Sequence, residues 1–181
     1  MNVLQTYGDS HALHAWPSLV IPGWEIRTMH LGARLMHSFA KGELEPVPAG
    51  ANMVCYCFGE IDCRVHAIEH GIDGLALRYI RQIKACSPAR SAVLGVVPPE
   101  REPAPVHRGT AEFRRAIVRA LNLDLWMLCE EVGFLYLDVY QAYRDEDGFL
   151  RKDLAGRRGH IGDHRPLEYL VKAVLYDPNI Q

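Results

Sequence analysis

Short apolar runs that alternate with longer helical patterns constrain this chain more than any other feature. The runs fall at Val3–Tyr7, Glu25–His30, Asn52–Phe58, Ser91–Val97 and Phe134–Val139 and read as strands. Helical patterns run between them over Ala12–Leu19, Gly32–Ala40, Gly74–Cys86 and Thr110–Val132, and a last one covers Pro166–Leu175. The fourth is the best defined. Phe113, Ile117, Leu121, Leu125 and Leu128 recur at spacings of three and four, Thr110 is placed to cap it, Glu112 puts negative charge in its first turn, and Gly133 closes it. Asp73 is the expected cap of the third helix. Strands that alternate with helices predict an α/β fold: a three-layer α/β/α sandwich around a five-stranded, mostly parallel sheet. If the strand order is 2-1-3-4-5, the chain reverses between the first and third strands, and a ligand is expected at their carboxyl ends.

Nothing in the sequence divides this pattern. There is no internal repeat, and the Pro-rich stretch Pro98–Pro105 reads as a surface loop, so residues 1–181 are expected to form a single domain. With 20 basic against 22 acidic side chains and a formal charge of -2, the chain gives no electrostatic reason to bind nucleic acid. The start, MNVLQTYGDSH, lacks a basic stretch followed by roughly 7 to 15 apolar residues, and no window approaches the roughly 18 apolar residues of a membrane span. The expectation is a cytoplasmic protein with no membrane span. Its 5 cysteines are odd in number and sit mostly in apolar context, as suits a reducing compartment. The composition stands out in its 9 histidines, several beside Gly or Asp in loops.

Two polar clusters fall at the ends of the first and third strands: Gly8-Asp9-Ser10-His11 and Gly59-Glu60-Ile61-Asp62-Cys63-Arg64. Ser10 follows a Gly-Asp turn and opens a helical segment, which places its hydroxyl at the sheet edge near backbone N–H groups and a positive helix end. A serine hydroxyl acts as a nucleophile only with a base to take its proton and donors for the oxyanion. The alternative is that Asp9 and Ser10 merely cap a helix. His11 is a poor base for Ser10, because successive helical side chains point about 100° apart. A better source is the Gly-rich loop Gly159-His160-Ile161-Gly162-Asp163-His164, where His160 or His164 is placed on the same sheet edge.

Gly8-Asp9-Ser10, the isolated Gly32 after the second strand, Gly59-Glu60-Ile61-Asp62 and a late loop histidine together resemble the four ordered blocks of the SGNH (GDSL-type) hydrolase superfamily. The resemblance covers nearly the whole chain. It implies a flavodoxin-like α/β/α fold and esterase-type acyl transfer through an acyl-enzyme. Ser10 would be the nucleophile and His160 the base, with the N–H groups of Ser10 and Gly32 as oxyanion donors. Asp9, Asp62 and Arg64 are counted with Gly32 among the oxyanion or substrate-binding residues. The GxSxG elbow of the α/β hydrolases is absent.

The blocks depart from the family pattern in two places. Ile61 stands where the third block usually has an Asn that donates to the oxyanion. Arg64 is the nearest charged donor, with a salt bridge to Glu60 or Asp62 as its alternative role. The last block is usually DxxH, yet Arg157 stands three residues before His160 and Ile161 three before His164. Asp163 is taken as the orienting acid, with Asp153 or a backbone carbonyl as substitutes.

The reading from these blocks is a serine esterase acting on a short acyl ester, such as O-acetyl on a carbohydrate or small metabolite, with no cofactor. Its alternative is an inactive binding module of the same fold for a glycan or partner protein. A zinc site from Cys55, Cys57, Cys63, His66 and His70 is the third reading, set aside because Cys55 and Cys57 alternate on a buried strand. Trp16, Trp24 and Trp126 read as core or rim residues, and His37 and His107 receive no role.

Overall fold

The computed structural model describes residues 1–102, 104–156 and 160–176. Five strands, β1 (Asn2–Gly8), β2 (Trp24–His30), β3 (Met53–Cys57), β4 (Arg90–Leu94) and β5 (Leu135–Leu137), form one sheet in the order β2-β1-β3-β4-β5. Every pairing is parallel, with Gly8 opposite His30 on one side and Cys57 on the other. The helices are α1 (Met36–Ala40), α2 (Ala67–His70), α3 (Leu75–Cys86), α4 (Ala111–Val132), α5 (Val139–Tyr143) and α6 (Arg165–Tyr176). No helix among the described residues is long and apolar enough to cross a membrane.

Helices cover both faces, and the strands are accordingly apolar in both directions. On β3, Val54 and Tyr56 face a core shared with Tyr7, Phe39, Tyr79 and Leu121, while Met53, Cys55 and Cys57 face a core shared with Trp16, Leu137 and Leu167. Helix α4 carries the cap expected of it. Thr110 Oγ1 accepts from Phe113 N at 3.1 Å, and Gly133 adopts φ 75° after the last turn.

Elsewhere the elements differ from the sequence expectation. The helix expected over 12–19 is two 3-10 turns, Ser10–Ala12 and Trp16–Ser18, separated by Ala15 at φ 70°, and Pro17, which has no N–H to donate back, keeps one α-helix from running through both. Gly32, at φ 74°, delays α1 to Met36. Gly74, at φ 63°, takes the cap position expected of Asp73. Strand β4 stops at Leu94 because Asn122 on α4 captures the next segment, accepting from Val96 N at 2.7 Å and donating to Val96 O at 2.8 Å. A π-helical turn, Asp62–His66, follows β3, where only a polar cluster was expected.

Candidate active site

At the carboxyl end of β1 the chain turns sharply over β3. A Cβ on Gly8 would lie 2.0 Å from Cys57 O, so only glycine allows the approach that Asp9 N completes by donating to Cys57 O at 3.0 Å. Asp9 then caps the following 3-10 turn, accepting from His11 N at 2.8 Å. Ser10 is the first residue of that turn and stands half-buried at the sheet edge.

His160 reaches this point from the far end of the sequence. Its Nε2 lies 2.8 Å from Ser10 Oγ. The loop that carries it is pinned on both sides: Gly156 N donates to His160 O at 2.7 Å, Ala155 and Ile161 form a bridge, and Gly162 N donates to Leu154 O at 2.9 Å. Buried Tyr143 ties the loop to α6, its hydroxyl donating to Asp163 O at 2.8 Å and accepting from Leu167 N at 3.0 Å.

Two other histidines crowd the pair. The His14 ring lies 4.0 Å from that of His160, and the His11 ring 5.1 Å from it. His11 is buried, with Nδ1 3.3 Å from Asp9 Oδ1. Burial pulls its pKa down, but the hydrogen bond and charge of Asp9, aided by Glu60, more than offset this and leave the pKa raised. The buried Asp9–His11 pair was missed in the sequence, although the i, i+2 spacing of an acid and a histidine across Ser10 was its available signal.

Gly32 follows β2, whose end is fastened to the serine turn by Leu31 N donating to Gly8 O at 2.8 Å. Among the described residues, neither Ser10 N–H nor Gly32 N–H is donated to another group. Asp62, 4% exposed, holds the segment after Gly32 in place by accepting from Met36 N at 2.8 Å and His37 N at 3.3 Å at the start of α1. Burial raises its pKa, against the two N–H bonds that lower it. Asp9 and Asp62 therefore hold the walls of the site from behind.

Ile61 is buried and apolar. Arg64 Nε lies 2.6 Å from Glu60 Oε1, an ion pair of the kind its spacing allows. Asp163, expected as the orienting acid, has Arg165 as its partner. Its Oδ1 accepts from Arg165 N at 2.9 Å, its Oδ2 accepts from Nε at 2.9 Å, and these bonds hold its pKa down to about 2. Asp153 likewise pairs with Arg151, at 2.7 Å. Arg157 lies outside the described residues. Cys55 and Cys57 are free, buried thiols on β3. His66 and His70 stack with centroids 6.1 Å apart, and the described residues contain no group of three or more His, Cys, Asp or Glu arranged to hold a metal.

No protein family model matches the chain, and no curated protein matches it in sequence. Solved structures do match in fold. A protein from Streptococcus pneumonia superposes with a TM-score of 0.74 at 14% identity, over 97% of this chain and 84% of that one. A GDSL-like lipase from Bacteroides thetaiotaomicron VPI-5482 does so at 0.65 and 14% identity, over 94% and 85% of the two chains. An acetylxylan esterase from Geobacillus stearothermophilus does so at 0.63 and 12% identity, over 94% and 92%.

Proposed function

We propose that this chain, which has the fold of the SGNH (GDSL-type) hydrolases, is a serine esterase that cleaves a short acyl ester. The observation that carries the reading is the 2.8 Å contact between Ser10 Oγ and His160 Nε2, which is within reach for proton transfer. Ser10 Oγ attacks the ester carbonyl carbon as His160 Nε2 takes the hydroxyl proton. The carbonyl oxygen becomes an oxyanion facing the N–H groups of Ser10 and Gly32. Collapse of this intermediate expels the alcohol, protonated by His160, and leaves an acyl-Ser10 ester. Water then attacks that ester with His160 again as base, releasing the acid and restoring Ser10.

With Ile61 in place of a donor, the oxyanion rests on backbone groups. One donor is typically worth about 100- to 1,000-fold in rate, so the enzyme is expected to be slow beside relatives that have the Asn. Small O-acyl groups, O-acetyl on a carbohydrate or small metabolite among them, are the proposed substrates, in keeping with the acetylxylan esterase among the structures of similar fold. Hydrolysis of p-nitrophenyl acetate tests the assignment: Ser10→Ala and His160→Ala should each lose at least about 1,000-fold in kcat, while His164→Ala should not. Turnover that survives in His160→Ala and falls in His164→Ala would give the base to the other histidine.

A further inference from the structure

The rings of His14 and His160 lie with centroids 4.0 Å apart and planes tilted by 41°. At that separation ring atoms of the two side chains are in van der Waals contact. His11 lies farther from His160, at 5.1 Å, and is engaged by Asp9. His14 is exposed, so the core does not depend on it. An exposed side chain ordinarily keeps its rotamer freedom unless something holds it.

The backbone ties His14 to the proposed nucleophile. Ser10 O accepts from Leu13 N at 3.2 Å and from His14 N at 3.1 Å, so His14 hangs on the carbonyl of Ser10 itself. Immediately afterwards Ala15 takes φ 70° and ψ -33°, and it is the one non-glycine residue with positive φ among the described residues. That conformation is strained for a residue with a Cβ, and such strain persists only where the surroundings over-determine it. Trp16 supplies the constraint: it is fully buried, and its Nε1 donates to His11 O at 3.0 Å. The sharp turn at Ala15 therefore sends Trp16 into the core while His14 stays at the surface against His160.

Burial, then the nearby His11 and His30, hold the His14 pKa below its ordinary 6.5, so the ring is uncharged at neutral pH. An uncharged imidazole can rest against His160 in both states that the proposed reaction requires. It packs on the neutral base and does not repel the imidazolium.

We propose that His14 is a positioning residue, whose ring forms a platform that limits rotation of the His160 imidazole and keeps its Nε2 directed at Ser10 Oγ. Because His14 and Ser10 share one turn, platform and nucleophile are set by the same stretch of backbone. A catalytic group must be held within about 0.5 Å and about 10 to 20° of its productive geometry, and a misplacement of about 1 Å can cost about 100-fold in rate. The rate part of the inference rests on the esterase reading; the restraint on the His160 ring does not.

Two measurements on the full-length protein separate these parts. The first needs no turnover: three-bond couplings of the His160 side chain, read by NMR at neutral pH in wild type, His14→Ala and His14→Phe. One χ1 rotamer is expected in wild type and His14→Phe, and averaging between rotamers in His14→Ala. A single rotamer that persists in His14→Ala, or averaging already present in wild type, would overturn the proposal. The second is steady-state hydrolysis of p-nitrophenyl acetate. His14→Ala should lower kcat by about 10- to 100-fold with KM within about twofold of wild type, and His14→Phe, which restores a flat ring without a titratable nitrogen, should regain most of that loss. An equal loss in His14→Phe would make His14 a proton carrier, and a raised KM with kcat intact would make it a substrate contact; either result, or an unchanged kcat in His14→Ala, overturns the positioning role. Both variants should keep the wild-type urea midpoint, which separates a misplaced base from a destabilised fold. If wild type hydrolyses no ester, the esterase reading fails while the couplings still decide whether His14 restrains His160.

Discussion

Ser10 and His160 stand 150 residues apart in sequence and meet with Nε2 2.8 Å from Oγ. Each is held by its own device: Ser10 by the close approach of Gly8 to β3, and His160 by a loop pinned to Leu154, Ala155 and Gly156. Their alignment therefore depends on residues that touch neither atom.

Tyr143 is the first of these. Its buried hydroxyl bridges Asp163 O and Leu167 N, so Tyr143→Phe removes both bonds and leaves Leu167 N–H without that partner. Urea unfolding should show a loss of about 1 to 3 kcal/mol. Turnover of p-nitrophenyl acetate should fall with it, as the His160 loop loosens.

Asp163 acts on the loop through Arg165, with both carboxylate oxygens bonded to that residue. Replacing the orienting acid of a serine–histidine system can cost about 10,000-fold when the wrong tautomer results. Asp163→Asn should instead lower kcat by less than about tenfold, and a full loss in steady-state kinetics would return Asp163 to the triad role that the sequence suggested.

Asp62 caps α1 across the site from β3, at 2.8 Å from Met36 N. Asp62→Ala should destabilise the protein by about 1 to 3 kcal/mol in urea melts. Asp62→Asn, which keeps an acceptor oxygen and removes a carboxylate whose pKa is raised by burial, should lose less.

His11 predicts a pH dependence of stability. Its folded-state pKa is raised above the ordinary 6.5, so its contribution is complete below that pH and is lost as pH rises through the folded value. The stability of wild type relative to His11→Gln, from urea melts at several pH values, should decrease as pH rises above the ordinary histidine value of 6.5. A difference that grows with pH would contradict the buried Asp9–His11 pair.

Much of the fold was legible in the sequence because its signals are local. The apolar runs marked all five strands, and the spacing along α4, with Thr110 and Gly133 at its ends, marked the longest helix to within a residue. Strand order has no local signal of its own; 2-1-3-4-5 entered as the condition on which the expected ligand edge rested, and the sheet has that order. The failures lie where distant groups decide local structure. Asn122 ends β4 by capturing Val96, and Asp62 starts α1 from 26 residues away. Neither contact has a local sequence pattern. The positive φ of Ala15, which breaks the first expected helix, is equally silent in sequence, since alanine rarely adopts it. At the site, the blocks singled out Ser10, Gly32 and His160, and the i, i+4 spacing already offered Glu60 as a partner for Arg64, but nothing marked Arg165 as the partner of Asp163, because such ion pairs form with whichever opposite charge the fold brings near.

Whether Ser10 is an activated nucleophile is decided by labelling with a fluorophosphonate, read by mass spectrometry of the peptides. A single adduct on Ser10 is expected in wild type, none in Ser10→Ala, and strongly slowed labelling in His160→Ala. An adduct that persists unchanged in Ser10→Ala, or wild-type protein that takes no label, would contradict that role.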